Sequence, residues 1–263
     1  MAALKSDADR THASKTAGSP LARATREFEA LVLRFETRLL RARDVDGRGR
    51  RDDVRREACT LALAELGARH TKLQIRRSLS AAEAQGRRVE QRLHAARQED
   101  DDDAAHDDLR AIHHGYFRLY STELFDMLGQ PVDLRLGTVR FHHCHPAPPP
   151  PAAHAPDQGP VSLELALGSS FFVADALETL PFHAFKVPRT PSLQNRGILS
   201  RKPDDHGAFP GYDSWLLFTF LGHGCLKLEV PIEMCADVYG GPLAGRENEE
   251  VHFWGVFVDD DVP

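Results

Sequence analysis

Residues 215–230 read WLLFTFLGHGCLKLEV, and this stretch carries the clearest signal of the fold. Its first half is almost wholly apolar, whereas its second half alternates, with Leu226, Leu228 and Val230 on one face. Gly222-His223-Gly224 separates the two halves, and closely spaced glycines are typical of a tight turn between antiparallel strands. The stretch therefore predicts a β-hairpin.

Strand-like patterns recur on both sides of this hairpin. Alternation of apolar and polar residues predicts strands over 132–143, 161–174 and 251–258. Proline-rich segments at 146–160 and 179–210 predict long loops. We therefore expect residues 131–263 to form one mainly antiparallel, β-rich domain with long Pro-rich loops. Its core should include Trp215, Leu217, Phe253 and Phe257.

Residues 19–130 predict helices instead, behind a polar tail at 1–18 that should be disordered. Ser19-Pro20 has the residue types preferred at a helix start, with Ser as the cap and Pro in the first turn. An apolar stripe then follows at helical spacing. Its members are Phe28, Leu31, Phe35 and Leu39.

A second helical stretch over 52–98 follows a glycine-containing break at 46–49, and the two helices should form an antiparallel hairpin. The later half of this stretch has apolar and small residues three and four positions apart, as in a short coiled-coil seam. The seam consists of Leu79, Ala82, Gly86, Val89, Leu93 and Ala96. We expect it to be the packed face of the hairpin. A third helix is expected over 104–128, so the predicted fold class is α+β.

Charge is unevenly distributed along the chain. Residues 1–98 contain 22 Lys and Arg against 13 Asp and Glu, while residues 99–263 contain 11 against 26. A basic segment can bind nucleic acid. However, only six of the 33 basic residues are Lys, and acidic residues are interspersed with the arginines. Solvated helix faces are therefore the simpler interpretation, and arginine-mediated nucleic-acid binding is an alternative.

The sequence also favours a compartment. It lacks the run of about 18 apolar residues that a transmembrane helix needs, and its first residues lack the apolar core of a secretion signal. The four cysteines have no spacing typical of a disulfide framework. They are Cys59, Cys144, Cys225 and Cys235. We therefore expect a protein of the cytoplasm or nucleus that does not insert into a membrane.

The densest group of metal-ligand residue types is His142-His143-Cys144-His145. Imidazole and thiolate both bind zinc, and His142 and Cys144 would share one face of a strand. The further ligands that such a site needs could come from Cys225, Cys235, His223 or His252. Because the sequence has no Cys-x₂-Cys pair, the spacing does not favour zinc. The sequence therefore predicts no bound metal and no cofactor, with His142 and Cys144 as the candidate ligands.

Signatures of catalysis are absent from the sequence, which has no Gly-x-Ser-x-Gly elbow and no dinucleotide-binding fingerprint. We therefore favour a non-enzymatic protein-interaction or scaffold subunit. Its helices would bind a partner chain, and its β-rich domain would present loops to a second partner. The residues expected to bind the first partner are Phe28, Leu31, Phe35 and Leu39. The first alternative is an enzyme or small-ligand-binding domain in the β-rich half.

Overall fold

The computed structural model describes residues 19–43, 48–98, 109–129, 136–143, 161–175, 185–202 and 213–260. In chain order these residues form α1 (Pro20–Arg43), α2 (Arg48–Gln98), the 3₁₀ helix η1 (Leu109–His114), β1 (Gly115–Tyr120), α3 (Thr122–Leu128), β2 (Gly137–His143), β3 (Val161–Leu167), β4 (Ser170–Asp175), β5 (Arg196–Arg201), β6 (Asp213–Gly222), β7 (Cys225–Pro231), α4 (Ile232–Tyr239), the 3₁₀ helix η2 (Gly241–Leu243) and β8 (Glu250–Asp259). The chain is therefore α+β, as the sequence predicts. It divides into two compact units, the first ending at Gln74 and the second beginning at Ile75.

The first unit contains α1 and the first part of α2. Ser19 caps α1 as predicted, because its Oγ accepts a backbone hydrogen bond of 3.1 Å from three residues further on. The two helices run antiparallel, since Glu27 pairs with Arg69 while Arg34, later in α1, pairs with the earlier Glu65. None of the described helices combines the length and apolarity that crossing a membrane requires.

The eight strands of the second unit form one closed barrel, in which each strand pairs antiparallel with its neighbours in sequence. Pairing of β1 with β8 closes the sheet and places Phe117 opposite Phe257. Closure removes the unpaired edges that an open sheet would expose. The sequence predicts antiparallel strands but gives no indication that they close into a barrel.

Phenylalanine rings fill much of the inside of the barrel. The ring centroid of Phe141 lies 5.4 Å from that of Phe218 and 5.6 Å from that of Phe220. Phe185 lies 5.8 Å from Phe218 in an edge-to-face arrangement, which is a favourable geometry for aromatic pairs. Phe185 comes from the irregular segment 185–195, so this loop supplies part of the barrel core.

The inward face of β6 differs from the predicted one. The residues of this strand that are buried inside the barrel are Leu216, Phe218 and Phe220. Trp215 is 42% exposed and Leu217 is only partly buried, so their prediction as core residues is wrong. Because residues 215–221 are apolar on both faces, alternation cannot show which face is inward. Phe253 is fully buried, as predicted, and Phe257 packs partly buried against the core.

The third helix predicted over 104–128 is wrong for the residues that the structure describes there, which form η1, β1 and α3. Their apolar spacing also fits a helix, but in β1 the alternate residues Phe117 and Leu119 face inward. Strand pairing takes precedence because it buries these side chains. Gly115 permits that pairing, since a Cβ there would lie 2.1 Å from the carbonyl oxygen of Val258.

β5 lies inside the segment predicted to be a long loop, 179–210, so that part of the prediction is wrong. The strand has six residues, with an arginine at each end and a glycine in second position, and gives almost no alternation to detect. Residues 185–195 are irregular, as expected. The other predicted loop, 146–160, lies outside the described residues.

Candidate functional site

The four residues predicted to bind a partner line the seam between α1 and α2. The buried centre of this seam consists of Leu31, Val32, Ala58 and Ala62. Leu31 is 5% exposed, so in this structure it joins the two helices. The other three predicted residues border the buried centre and keep part of their surface exposed. They are Phe28, Phe35 and Leu39.

The two flanks of the seam differ in character. On one flank Arg34 pairs with Glu65 and lies over the ring of Phe35, 5.1 Å from its centroid. Leu63 is two residues before Glu65, and a helix turns about 100° per residue, so Leu63 lies on nearly the opposite flank. It is 60% exposed. Cys59 and Leu66 share its face, because they are four and three residues away.

Apolar residues of α2 continue from the buried seam onto this second flank. We refer to this surface of α2 as the open flank, and it consists of Cys59, Leu63 and Leu66. Cys59 and Leu66 are partly buried against the seam, as are Phe28 and Leu39 of α1, and Leu63 is mostly exposed. Apolar surface of this kind on a helical hairpin is typical of a site that binds another helix.

Several arginines of the helices are held by neighbouring carboxylates. The hydrogen bond from Arg34 lowers the pKa of Glu65, and the hydrogen bond to Glu65 raises the pKa of Arg69. Arg76 likewise pairs with Asp126 at 2.8 Å. Such pairs reduce the positive field that a nucleic-acid backbone would meet. The alternative of a nucleic-acid binder therefore gains no support from these residues.

The seam predicted to be the packed face of the hairpin has a different role, because its later residues pack against the outside of the barrel. They share one buried cluster with residues of β6, β7 and β8. Its members are Val89, Leu93, Leu221, Cys225 and Trp254. Gly86 makes this approach possible, since a Cβ there would lie 2.2 Å from the indole of Trp254. The prediction of a packed hairpin face is therefore wrong for this part of α2.

Polar contacts fix the same part of α2 to α3. The buried carboxylate of Glu83 accepts a hydrogen bond from the backbone N–H of Thr122, at the start of α3. Ser121 caps the same helix by accepting a 3.1 Å hydrogen bond from the backbone N–H of Leu124. These contacts satisfy backbone donors that the first turn of a helix leaves unpaired.

The structure separates the candidate zinc ligands around residue 142. His142 lies on the outer face of β2, 3.3 Å from Glu164, although the geometry is not that of a hydrogen bond. His143 faces the other way, and its ring lies against that of His113 of η1, with centroids 3.4 Å apart and planes tilted by 34°. His142 and His143 therefore lie on opposite faces of β2 and do not converge on a common ion. Cys144 lies outside the described residues.

The His113 ring has a strongly shifted titration. Burial, followed by repulsion from His143, lowers its pKa to about 4. A neutral ring in this environment is the form that the folded protein favours. No local sequence pattern indicates His113, because only folding brings η1 against the end of β2.

The remaining candidate zinc ligands are dispersed. Burial, together with the charge of Glu123, raises the pKa of the Cys235 thiol to about 12, so this thiol is unreactive near neutral pH. Cys225 is also buried, in the cluster that contains Val89 and Leu93 of α2. The neighbouring His223 is exposed in the turn. The 222–225 turn therefore does not expose a thiol for nucleophilic chemistry.

One group that the sequence analysis did not identify as a unit lies on the outer wall of β7 and β8. Glu229, Glu250 and His252 hold their potential ligand atoms within 4.8 Å of one another. Glu229 and His252 are direct partners across the strand pair. Alternation in both strands could have placed these side chains outside the barrel, but not in register with each other.

Compared with models of protein families, with curated proteins and with solved structures, the chain matches none of them.

Proposed function

We propose that this protein is a non-enzymatic interaction subunit of the cytoplasm or nucleus, in which the helical hairpin binds a partner chain. The observation that carries the proposal is the open flank. This flank of α2 ends in the exposed Leu63, and Phe28 and Leu39 of α1, both predicted to bind a partner, are partly buried against the same seam. A partner helix on this flank would complete a three-helix layer and cover the exposed leucine.

The energetics favour such a partner. Removing apolar surface from water stabilises a complex by roughly 25 cal/mol per Å². Most helical stability in water comes from burying an apolar face. A hairpin of two helices leaves part of that face in contact with water. Leu31 and Phe35 would contribute indirectly. Their packing in the seam holds α1 against α2 and so fixes the positions of Phe28 and Leu39.

The barrel supports the proposal in a different way. Barrels that bind small molecules keep interior space for them. Here Phe141, Phe185, Phe218 and Phe220 occupy the interior with rings in mutual contact. We therefore interpret the barrel as the fixed part of a scaffold, whose loops would meet a second partner.

Two matched substitutions test the proposal. Leu63 is 60% exposed on the open flank, and Leu33 is 66% exposed elsewhere on α1, so neither should contribute much to folding. We expect Leu63→Glu to abolish association that Leu33→Glu preserves. The unaltered protein and the two variants would be compared. Light scattering would measure self-association, and capture experiments would quantify one and the same captured partner protein for all three. Equal loss with both variants, or with neither, would contradict the proposal.

A further inference from the structure

The outer wall of β7 and β8 holds an imidazole between carboxylates. Glu229 and His252 face each other across the two strands, and Glu250 is two residues before His252 on the same face of β8. Barrel strands with buried neighbours on the inner face position such side chains more firmly than loops do. Glu229 is also well sheltered, with its side chain 11% exposed.

The spacing of these groups is longer than that of hydrogen bonds. The Nε2 atom of His252 lies 4.0 Å from Glu229 Oε1, and its Nδ1 atom lies 3.7 Å from Glu123 Oε2. Hydrogen bonds of this kind span about 2.7–3.2 Å. Two atoms that each lie about 2.1 Å from one ion are separated by roughly 3–3.5 Å. Small side-chain rotations therefore suffice to bring Glu229 and His252 onto a common ion.

Glu123 of α3 adds a feature found in metal centres. A histidine that binds a metal through one nitrogen commonly directs the other nitrogen to a carboxylate, which fixes the ring. Glu123 lies on the Nδ1 side of His252, while Glu229 lies on the Nε2 side. The arrangement therefore has a ligand side and an orienting side, which a group of carboxylates alone would not have.

One cation already neighbours this group. Lys227 lies two residues before Glu229 on the outer face of β7, and its Nζ is 3.2 Å from Glu229 Oε1. Glu123, Glu229 and Glu250 contribute three carboxylates against this one ammonium group, so the formal charge of these four residues is negative. Lys227 would compete with a bound ion for Glu229, and this competition gives the site a specific test.

We propose that Glu229, Glu250 and His252 bind a divalent transition-metal ion, with Glu123 orienting His252. One imidazole and two carboxylates form a ligand set suited to zinc or manganese. The proposal is independent of partner binding by the hairpin, because all of these residues belong to the second unit.

The test uses the full chain, treated with a chelator and dialysed, and titrated calorimetrically with zinc chloride and, separately, with manganese chloride. We expect one ion per chain. Substituting His252→Ala should weaken binding by at least about tenfold, as should Glu250→Gln, which alters only an exposed carboxylate. His94→Ala is the matched control, because His94 is exposed on α2 and should leave the affinity unchanged.

Lys227→Met gives a test with the opposite sign. Loss of the competing ammonium group should tighten binding several-fold, and a merely destabilising substitution would not do so. Thermal melting of each variant confirms that it is folded. Absence of saturable binding by the unaltered protein would overturn the proposal. So would an affinity that His252→Ala and Glu250→Gln leave unchanged from that of the unaltered protein, or one that Lys227→Met leaves unchanged or weakens.

Discussion

The barrel and the helical hairpin bury their apolar residues to very different extents. The barrel pairs every strand with two neighbours and stacks large aromatic rings inside. The hairpin has a narrow buried seam, with Ala58 and Ala62 opposite Leu31, and leaves Leu63 exposed beside it. The barrel core is therefore buried, whereas the hairpin keeps part of its apolar surface exposed.

The largest effect is expected inside the barrel. Phe218 is fully buried among other rings, and truncating such a residue typically costs about 3–5 kcal/mol. We therefore expect Phe218→Ala to lower the free energy of unfolding severely in urea denaturation. Trp215→Ala, on the outer face of the same strand, should cost no more than about 1 kcal/mol. Similar losses for the two variants would show that the inward face of β6 is assigned incorrectly.

A pair of glycines in α2 distinguishes its two parts. Alanine normally stabilises a helix by about 0.5–1 kcal/mol relative to glycine. Gly67→Ala should show this gain, because no atom lies within 4 Å of the added Cβ. Gly86→Ala should instead destabilise the protein by about 1–3 kcal/mol, since its Cβ collides with the indole of Trp254. Thermal melting of both variants measures the difference, and a gain at Gly86 would contradict the packing of α2 on the barrel.

A smaller effect is expected where α2 meets α3. Glu83→Ala removes the acceptor for the backbone N–H of Thr122, and losing a helix cap costs about 0.5–2 kcal/mol. Arg87→Ala removes the ion-pair partner of Glu83 and a guanidinium that lies 5.9 Å from the ring centroid of Trp254. Because the Arg87 side chain is 60% exposed, these contacts are weak, and we expect a cost of no more than about 1 kcal/mol. Urea denaturation of the two variants tests this order. If Arg87→Ala cost more than Glu83→Ala, the contacts of Arg87, and not the hydrogen bond from Thr122 to Glu83, would account for the stability of this region.

A pH-dependent effect is expected at the end of the barrel. The pKa of His113 is about 4 in the folded protein, below the value of about 6.5 expected after unfolding. Between these values the unfolded chain binds more protons, so His113 lowers stability as the pH falls from about 6.5 towards 4. We expect His113→Asn to make the urea midpoint less dependent on pH in this window. An equal effect of His94→Asn, at an exposed position, would contradict this assignment.

Comparison of the two regions also shows where sequence patterns are informative. The helix over residues 20–43 and the hairpin around Gly222 were predictable, because each has a local signal of a cap, a stripe or a turn. β1 and β5 were not predictable. Their six residues each become strands only because long-range partners, β8 for β1 and β6 for β5, supply the hydrogen bonds.

The candidate sites divide in the same way. Helical spacing identified Phe28 and Leu39, and the structure places both at the edge of the hairpin seam. The Glu229–His252 pair depends on the register of β7 against β8, which no local pattern specifies. The contact between the rings of His113 and His143 likewise depends on η1 lying against the end of β2.

The sequence by itself therefore determined the fold class, the first helix, the β6–β7 hairpin and the apolar stripe of the hairpin seam. These follow from periodicity and turn chemistry, which act between residues close in the chain. Tertiary structure alone decided the closed barrel, the inward face of β6, the contact of Gly86 with Trp254 and the group around His252. Each of these requires residues that are distant in the chain to meet, and such meetings are set by the packing of the whole core.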